Sequence, residues 1–249
     1  MWVVLCESND LPALWAYRGL AERGAAPVEL ITGDELLHGP RWCHRIGRDG
    51  TTDVDIRLPD GRALRGSATK GVLNRLVSAP APYFLAVPAD RDYATQEFFA
   101  LFMSWLHCLP GAVLNRPTPQ GLSGRWRDQS EWTVLAAKAG LATLSYQMAS
   151  LEGARDSAFH GSSLNAGEVR NVIVAEDHVI GAPSVPGVVE GCRRLAELSH
   201  TGLLGIDLLH GRNGSWPFLA ATPHPDLRIG GAALLDALVS VMGHRAEDH

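Results

Sequence analysis

Lysine is nearly missing from this chain: among 249 residues only Lys70 and Lys138 carry an ammonium group, and none follows position 138. Arginine supplies the remaining cations, which reads either as compositional bias or as selection against lysine. Cys6, Cys43, Cys108 and Cys192 lie far apart with no CxxC pair. This excludes a disulfide framework or a cysteine zinc site and reads as buried thiols in a reducing compartment, with the cytoplasm as the expected location. No basic leader precedes an apolar run, and the apolar stretch near the C-terminus is interrupted by Asp236, so neither a targeting segment nor a membrane span is expected. The formal charge of −5 and the scattered basic residues give no expectation of a nucleic-acid or anionic-membrane partner. G-x-S-x-G and G-x-G-x-x-G are both absent, which removes the sequence support for a nucleophile-elbow hydrolase or a dinucleotide enzyme.

What is present is enough apolar content, 46%, to bury a core in one large domain or two small ones. WVVLCE reads as a strand. Leu11, Leu14, Trp15 and Arg18 line one side of a following helix that stops at Gly24, and VELITG completes a strand–helix–strand unit. DVDIRLPDGRALRG is a hairpin about Pro59-Asp60-Gly61, and GVLNRLV is a further strand. Residues 91–109 form a core-packed helix through Phe98, Leu101, Phe102 and Trp105, and AVLNRP is a buried strand. A helix carrying Trp132, Leu135, Ala136 and Ala139 ends at Gly140. Residues 151–168 are small, polar and aperiodic, and are expected to be a linker. Beyond them, 169–183 give two strands about Glu176-Asp177, 187–201 a helix, GLLGIDLL and WPFLAA paired strands joined by a loop with Asn213-Gly214, and the C-terminal stretch a helix facing inward through Leu234, Leu235, Leu238, Val241 and Met242. No internal repeat or low-complexity tract is evident.

The order and wording of these pieces resemble the ATP-grasp superfamily, most closely the ribosomal-protein glutamate ligase-like branch and its peptide-macrocyclising relatives. The most specific likeness is GIDLLHGRNGSWPFLAATPHPDL, which is similar to the family's G-x-D, hairpin, F-L-E-x-N-P-x-P ending. GVLNRL, VLNRP and VRNVIVAEDHVIGA are similar to its arginine-bearing and V-N-P-like strands. The resemblance implies an α/β fold, α+β in its C-terminal part. A Rossmann-like pre-ATP-grasp domain over 1–117 would be followed by a connecting helix and strand over 118–150 and an ATP-grasp-like domain over 151–249. It also implies a metal site built on Asp207 and the positions of Ala220 and Thr222.

Those last two positions depart from the pattern, which has Glu and Asn there. Magnesium takes hard oxygen ligands, alanine offers none, and a threonine hydroxyl is a neutral, weaker donor. The family's phosphate-binding lysines have no counterpart after residue 138, and the stretch 151–168 stands where its β-rich lid belongs. The lid is therefore expected to be missing and the ATP-grasp-like domain to be truncated. These departures predict a non-catalytic protein that binds a peptide, small acid or partner protein, with Arg75, Arg116 and Arg170 as anion contacts, Asp207 as a relic metal ligand, and no cofactor. The alternative is an active ATP-dependent carboxylate–amine ligase holding Mg2+ and ATP through a divergent site of Asp207 plus Asp226.

Other groupings remain open at this stage. His38, Cys43 and His44 are either soft-metal donors or part of a loop near a strand. His224 and Asp226 are either an acid/base pair or surface groups on a proline-stiffened turn. Asp207 is either a former metal ligand or a strand-end carboxylate paired with a group such as Arg170.

Overall fold

The computed structural model describes residues 1–79, 87–109, 112–145, 168–211 and 213–244. The linker expected over 151–168 falls almost wholly outside them. A parallel sheet in the order β2-β1-β6-β7 is formed by β1 (Trp2–Cys6), β2 (Val28–Thr32), β6 (Gly71–Asn74) and β7 (Ala112–Leu114). A three-stranded antiparallel sheet, β3 (Arg41–Ile46), β4 (Thr52–Arg57) and β5 (Ala63–Arg65), follows β2 in the chain. The third sheet is antiparallel, in the order β11-β10-β8-β9, with β8 (Val169–Ala175), β9 (His178–Ile180), β10 (Leu203–Leu209) and β11 (Phe218–Thr222). The helices are α1 (Leu11–Glu22), α2 (Gly33–Leu37), α3 (Pro88–Cys108), α4 (Gln129–Lys138), α5 (Val188–Ser199) and α6 (Gly231–His244). None of the described helices is long and apolar enough to cross a membrane.

Residues 33–46 depart from the sequence expectation. HGPRWCH is a loop only over 38–40: Arg41–Ile46 is strand β3, and the loop follows α2, whose Thr32–Glu35 capping box closes its first turn. Polar residues on a strand with one wet face hid the alternation. The zinc grouping does not form, because Cys43 and His44 are adjacent on a strand and project to opposite faces. His38 lies at the end of α2, with its Nδ1 against Asp34 O.

Helix α1 is a second correction, in its facing. Leu11 is 62% exposed, and the buried side consists of Ala13, Ala16, Gly19 and Leu20. Small residues win this face because α6 packs close: a Cβ on Gly19 would sit 2.4 Å from Leu235 Cδ1. Trp2, Val4 and Leu73 of the parallel sheet, Ile173 and Leu203 of the C-terminal sheet, and Leu234 and Leu238 of α6 share this core. The opposite face of the C-terminal sheet packs Val172, Val174, Leu204, Ile206 and Leu208 on α4 and α5. Its burial pushes the Cys192 thiol up to about 12, so that cysteine is an inert apolar group.

Candidate functional site

Strand alternation sorts β8, β10 and β11 into two faces. Leu204, Ile206 and Leu208 enter the α4–α5 core, so Gly205 and Asp207 face the other way. The ladder puts Asn171 of β8 and Ala220 of β11 on either side of Asp207, and pairs Gly205 with Thr222 one step along. The positions implicated by the ending of the sequence therefore do come together on one open sheet face. Their chemistry is thin. Asp207 Oδ1 accepts a hydrogen bond from Asn171 Nδ2 at 2.6 Å, and Ala220 presents only a methyl group on its other flank. Arg170 is not the partner of Asp207. It lies across from Leu208 on the opposite face, pairs with Glu168 at 3.0 Å and sits 5.5 Å over the Trp216 ring.

Asp226 plays a separate part. It caps the turn beginning at Leu227 by accepting from Arg228 N, and holds the Arg228 guanidinium at 2.8 and 2.6 Å. Arg228 pulls its carboxyl below the usual range. Among the described residues no three His, Cys, Asp or Glu side chains gather where a metal ion would sit.

The TPHPD turn after β11 lands on the carboxyl ends of β1, β6 and β7, and two buried networks hold it there. In the first, Arg75 is 2% exposed and donates from Nε to Asp10 Oδ2 at 2.7 Å, from Nη2 to Asp10 Oδ1 at 3.3 Å, and from Nη1 to Pro225 O at 3.0 Å. His224 completes it, with Nδ1 3.3 Å from Arg75 Nη2 and Nε2 3.2 Å from Arg75 O. The carboxylate near His224 is thus Asp10, at 3.5 Å, rather than Asp226. Burial works against charge on Asp10, but hydrogen bonds from His224, Arg75 and Ala13 N outweigh it and hold the carboxyl far below the usual range.

In the second network, Asn115 Nδ2 donates to Leu203 O and Pro223 O, both at 2.8 Å, and its Oδ1 accepts from Leu203 N at 2.9 Å. Asn74 Nδ2 donates to Asn115 O at 2.9 Å and Leu122 O at 2.6 Å. Arg116, the next residue, donates to Leu106 O and His107 O at the end of α3. Arg75, Arg116 and Arg170 are therefore not gathered into one pocket; each engages a different part of the protein. Asp10, Asn74 and Asn115 were not singled out from sequence, and His224 was paired there with the wrong carboxylate. The signal was present as a short duplication: VLNR at 72–75 recurs at 113–116, and the two copies pair in register as β6 and β7.

Gly205 is needed where Pro225 folds over the sheet. A Cβ there would lie 2.8 Å from Pro225 Cβ and 3.2 Å from Thr222 Cγ2. Since a proline ring cannot rotate away, Gly205→Ala should cost about 1–3 kcal/mol. Chemical denaturation would measure it; an unchanged midpoint would show that the turn is not seated on this strand.

No family model matches the sequence, and no curated protein does. Solved structures match in fold over almost the whole chain. The macrocyclase MdnB from Microcystis aeruginosa MRC superposes with a TM-score of 0.72 at 12% identity, covering 98% of this chain and 100% of that one. The ATP-grasp ligase PsnB, complexed with precursor peptide PsnA2 and AMPPNP, gives 0.69 at 18% identity, covering 97% and 98%. A RiPP-associated ATP-grasp ligase from Chryseobacterium gregarium, in complex with ADP and a leader and core peptide, gives 0.62 at 12% identity, covering 96% of each chain. The chain has the fold of the ATP-grasp ligases, in the form adopted by peptide-macrocyclising enzymes.

Proposed function

We propose that this protein is a non-catalytic member of that fold, retained to bind a peptide or to hold a peptide-bearing partner. One observation carries the reading: across a single level of the C-terminal sheet, the carboxylate of Asp207 stands between an amide and a methyl group. Magnesium bound to a triphosphate needs several hard oxygen donors, and this donor set does not fit it. The chain between Ser145 and Glu168 is 22 residues. A β-rich lid of several strands at about 5–6 residues each, with turns, needs more. Without a lid, water is not excluded from a reacting phosphoryl group, and without the metal its charge is not neutralised. The choice of a peptide as ligand is supported by the structural neighbours solved with precursor, leader and core peptides. The rival metal pair of Asp207 and Asp226 would have to draw Asp226 away from Arg228, which both of its oxygens now hold.

A thermal-shift titration with Mg·ATP tests the reading. A competent nucleotide site would add about 2.7 kcal/mol of stability at a hundredfold excess over its dissociation constant. The expected result is no shift for the native chain, and a clear shift would overturn the proposal. The double variant Ala220→Glu/Thr222→Asn then asks whether the rest of the cleft survives: a shift regained by these two side chains alone would assign the loss of nucleotide binding to them rather than to the missing lid.

A further inference from the structure

Four of the 22 basic residues that look scattered in sequence are gathered by the small sheet. Its inner face is apolar, with Val54, Ile56 and Leu64 buried against α3 and the parallel sheet. Alternation then sends Arg41, Cys43 and Arg45 of β3, Asp53, Asp55 and Arg57 of β4, and Arg65 of β5 to the outer face. Four guanidinium groups meet two carboxylates there, on a chain whose net charge is −5. Asp55 lies 3.5 Å from Arg41 and 3.9 Å from Arg57, while Arg45, across from Asp53, and Arg65, across from Asp55 on the far strand, are exposed. The sheet order makes β3 an edge strand: among the described residues its backbone pairs with β4 alone. Beside its end lies a cavity of about 600 Å3 lined by Arg45, Ile46 and Thr52, in which Ile46 is 61% exposed.

We propose that this edge takes an acidic, extended peptide segment as an added strand. Strand addition satisfies the outward backbone groups of β3, and alternate side chains of the incoming segment fall on the arginine face. Arg41 and Arg45 lie four residues apart on one face, about 13 Å along a strand. The matching segment carries carboxylates at i and i+4, with apolar residues on the other side toward Ile46. Asp53 and Asp55, set between the arginines, oppose a uniformly charged phosphate backbone, and this favours a peptide over nucleic acid.

This inference rests on the peptide-binding half of the proposed function, and its test is independent of nucleotide. Fluorescence anisotropy is read with the full chain and a labelled ten-residue Thr/Val-rich peptide carrying two glutamates four residues apart. The same peptide with glutamines, and one with N-methylated backbone at alternate positions, are the comparisons. Both should bind at least tenfold more weakly, and affinity for the glutamate peptide should fall as salt rises. Arg41→Gln/Arg45→Gln should lower affinity for the glutamate peptide at least tenfold as well. No binding up to about 1 mM, the weak end of specific recognition, would overturn the proposal. So would equal binding of the glutamine peptide, or tighter binding of a short DNA duplex. If neither peptide nor Mg·ATP binds, this edge loses its assignment while the degenerate metal face keeps its own.

Discussion

Arg75→Ala should destabilise the protein by about 3–5 kcal/mol, because it leaves the Asp10 carboxylate buried without its counter-charge. The side chains of Arg75 and Asp10 are 2% and 4% exposed, so water cannot take over the role of the lost partner. Pro225 O loses its donor in the same step, releasing the turn that follows β11 from the end of β6. Arg75→Met/Asp10→Asn removes both charges together and should recover part of the loss, since a neutral pair has no ion to desolvate. Urea denaturation of the native chain, Arg75→Met, Asp10→Asn and Arg75→Met/Asp10→Asn gives the coupling directly. A single-variant loss below about 1 kcal/mol would mean that the turn is anchored by something other than this pair.

Acid adds a separate signature. The Asp10 carboxyl is held well below its ordinary value in the folded protein, so its stabilisation is complete above the unfolded value of about 3.9 and is lost as pH falls below it toward the folded value. Asp10→Asn should abolish that part of the stability–pH slope below about pH 4 while lowering stability at neutral pH. A slope unchanged by the substitution would assign the acid sensitivity to other carboxylates.

Much of this arrangement could be read from the sequence, and the reasons for the exceptions are local. The alternation in 169–180 and 203–222, with turns at Glu176-Asp177 and Asn213-Gly214, gave β8 to β11 close to their observed bounds. The resemblance of the ending GIDLL…FLAAT implied one site for Asp207, Ala220 and Thr222, and the pairing of β10 with β11 is what sets all three on one face. Strand β3 escaped because its outer face carries charge and its inner face mixes Trp42, His44 and Ile46. The face of α1 was misread because a helix packed closely on another buries alanine and glycine in place of its larger residues. Asp10 caps α1, with one oxygen accepting from Ala13 N, but its bonds to Arg75 span 65 positions and leave no local trace in the sequence. The arginine patch is tertiary for the same reason: only the pairing of three strands turns residues 41, 45, 57 and 65 into neighbours on one face.

The second large effect is expected at Asn115, which the VLNR duplication places beside Asn74. Asn115 is 4% exposed, adopts φ +58° and serves three backbone groups of the C-terminal sheet and its turn with one amide. Asn115→Ala leaves the Leu203 N–H without its partner and strips a donor from Leu203 O and Pro223 O, at about 1–3 kcal/mol for each buried group left unsatisfied. It also puts alanine in the left-handed region, which costs about a further 1 kcal/mol. A total of about 4 kcal/mol is expected, enough to consume much of the stability of an ordinary domain. Asn115→Gly keeps the backbone conformation and loses only the amide, so it should be milder by about that 1 kcal/mol. Asn115→Asp retains the acceptor for Leu203 N–H but turns a carboxylate oxygen toward two carbonyls, and should be less stable at neutral pH than under mildly acidic conditions, where protonation restores a donor. Denaturation of the three variants at two pH values separates hydrogen bonding from backbone strain. If alanine and glycine are equally tolerated, and each is within about 1 kcal/mol of the native chain, then β7 and the C-terminal sheet are held together by apolar packing alone, and the two networks at the strand ends are not what fixes the open face of Asp207 in place.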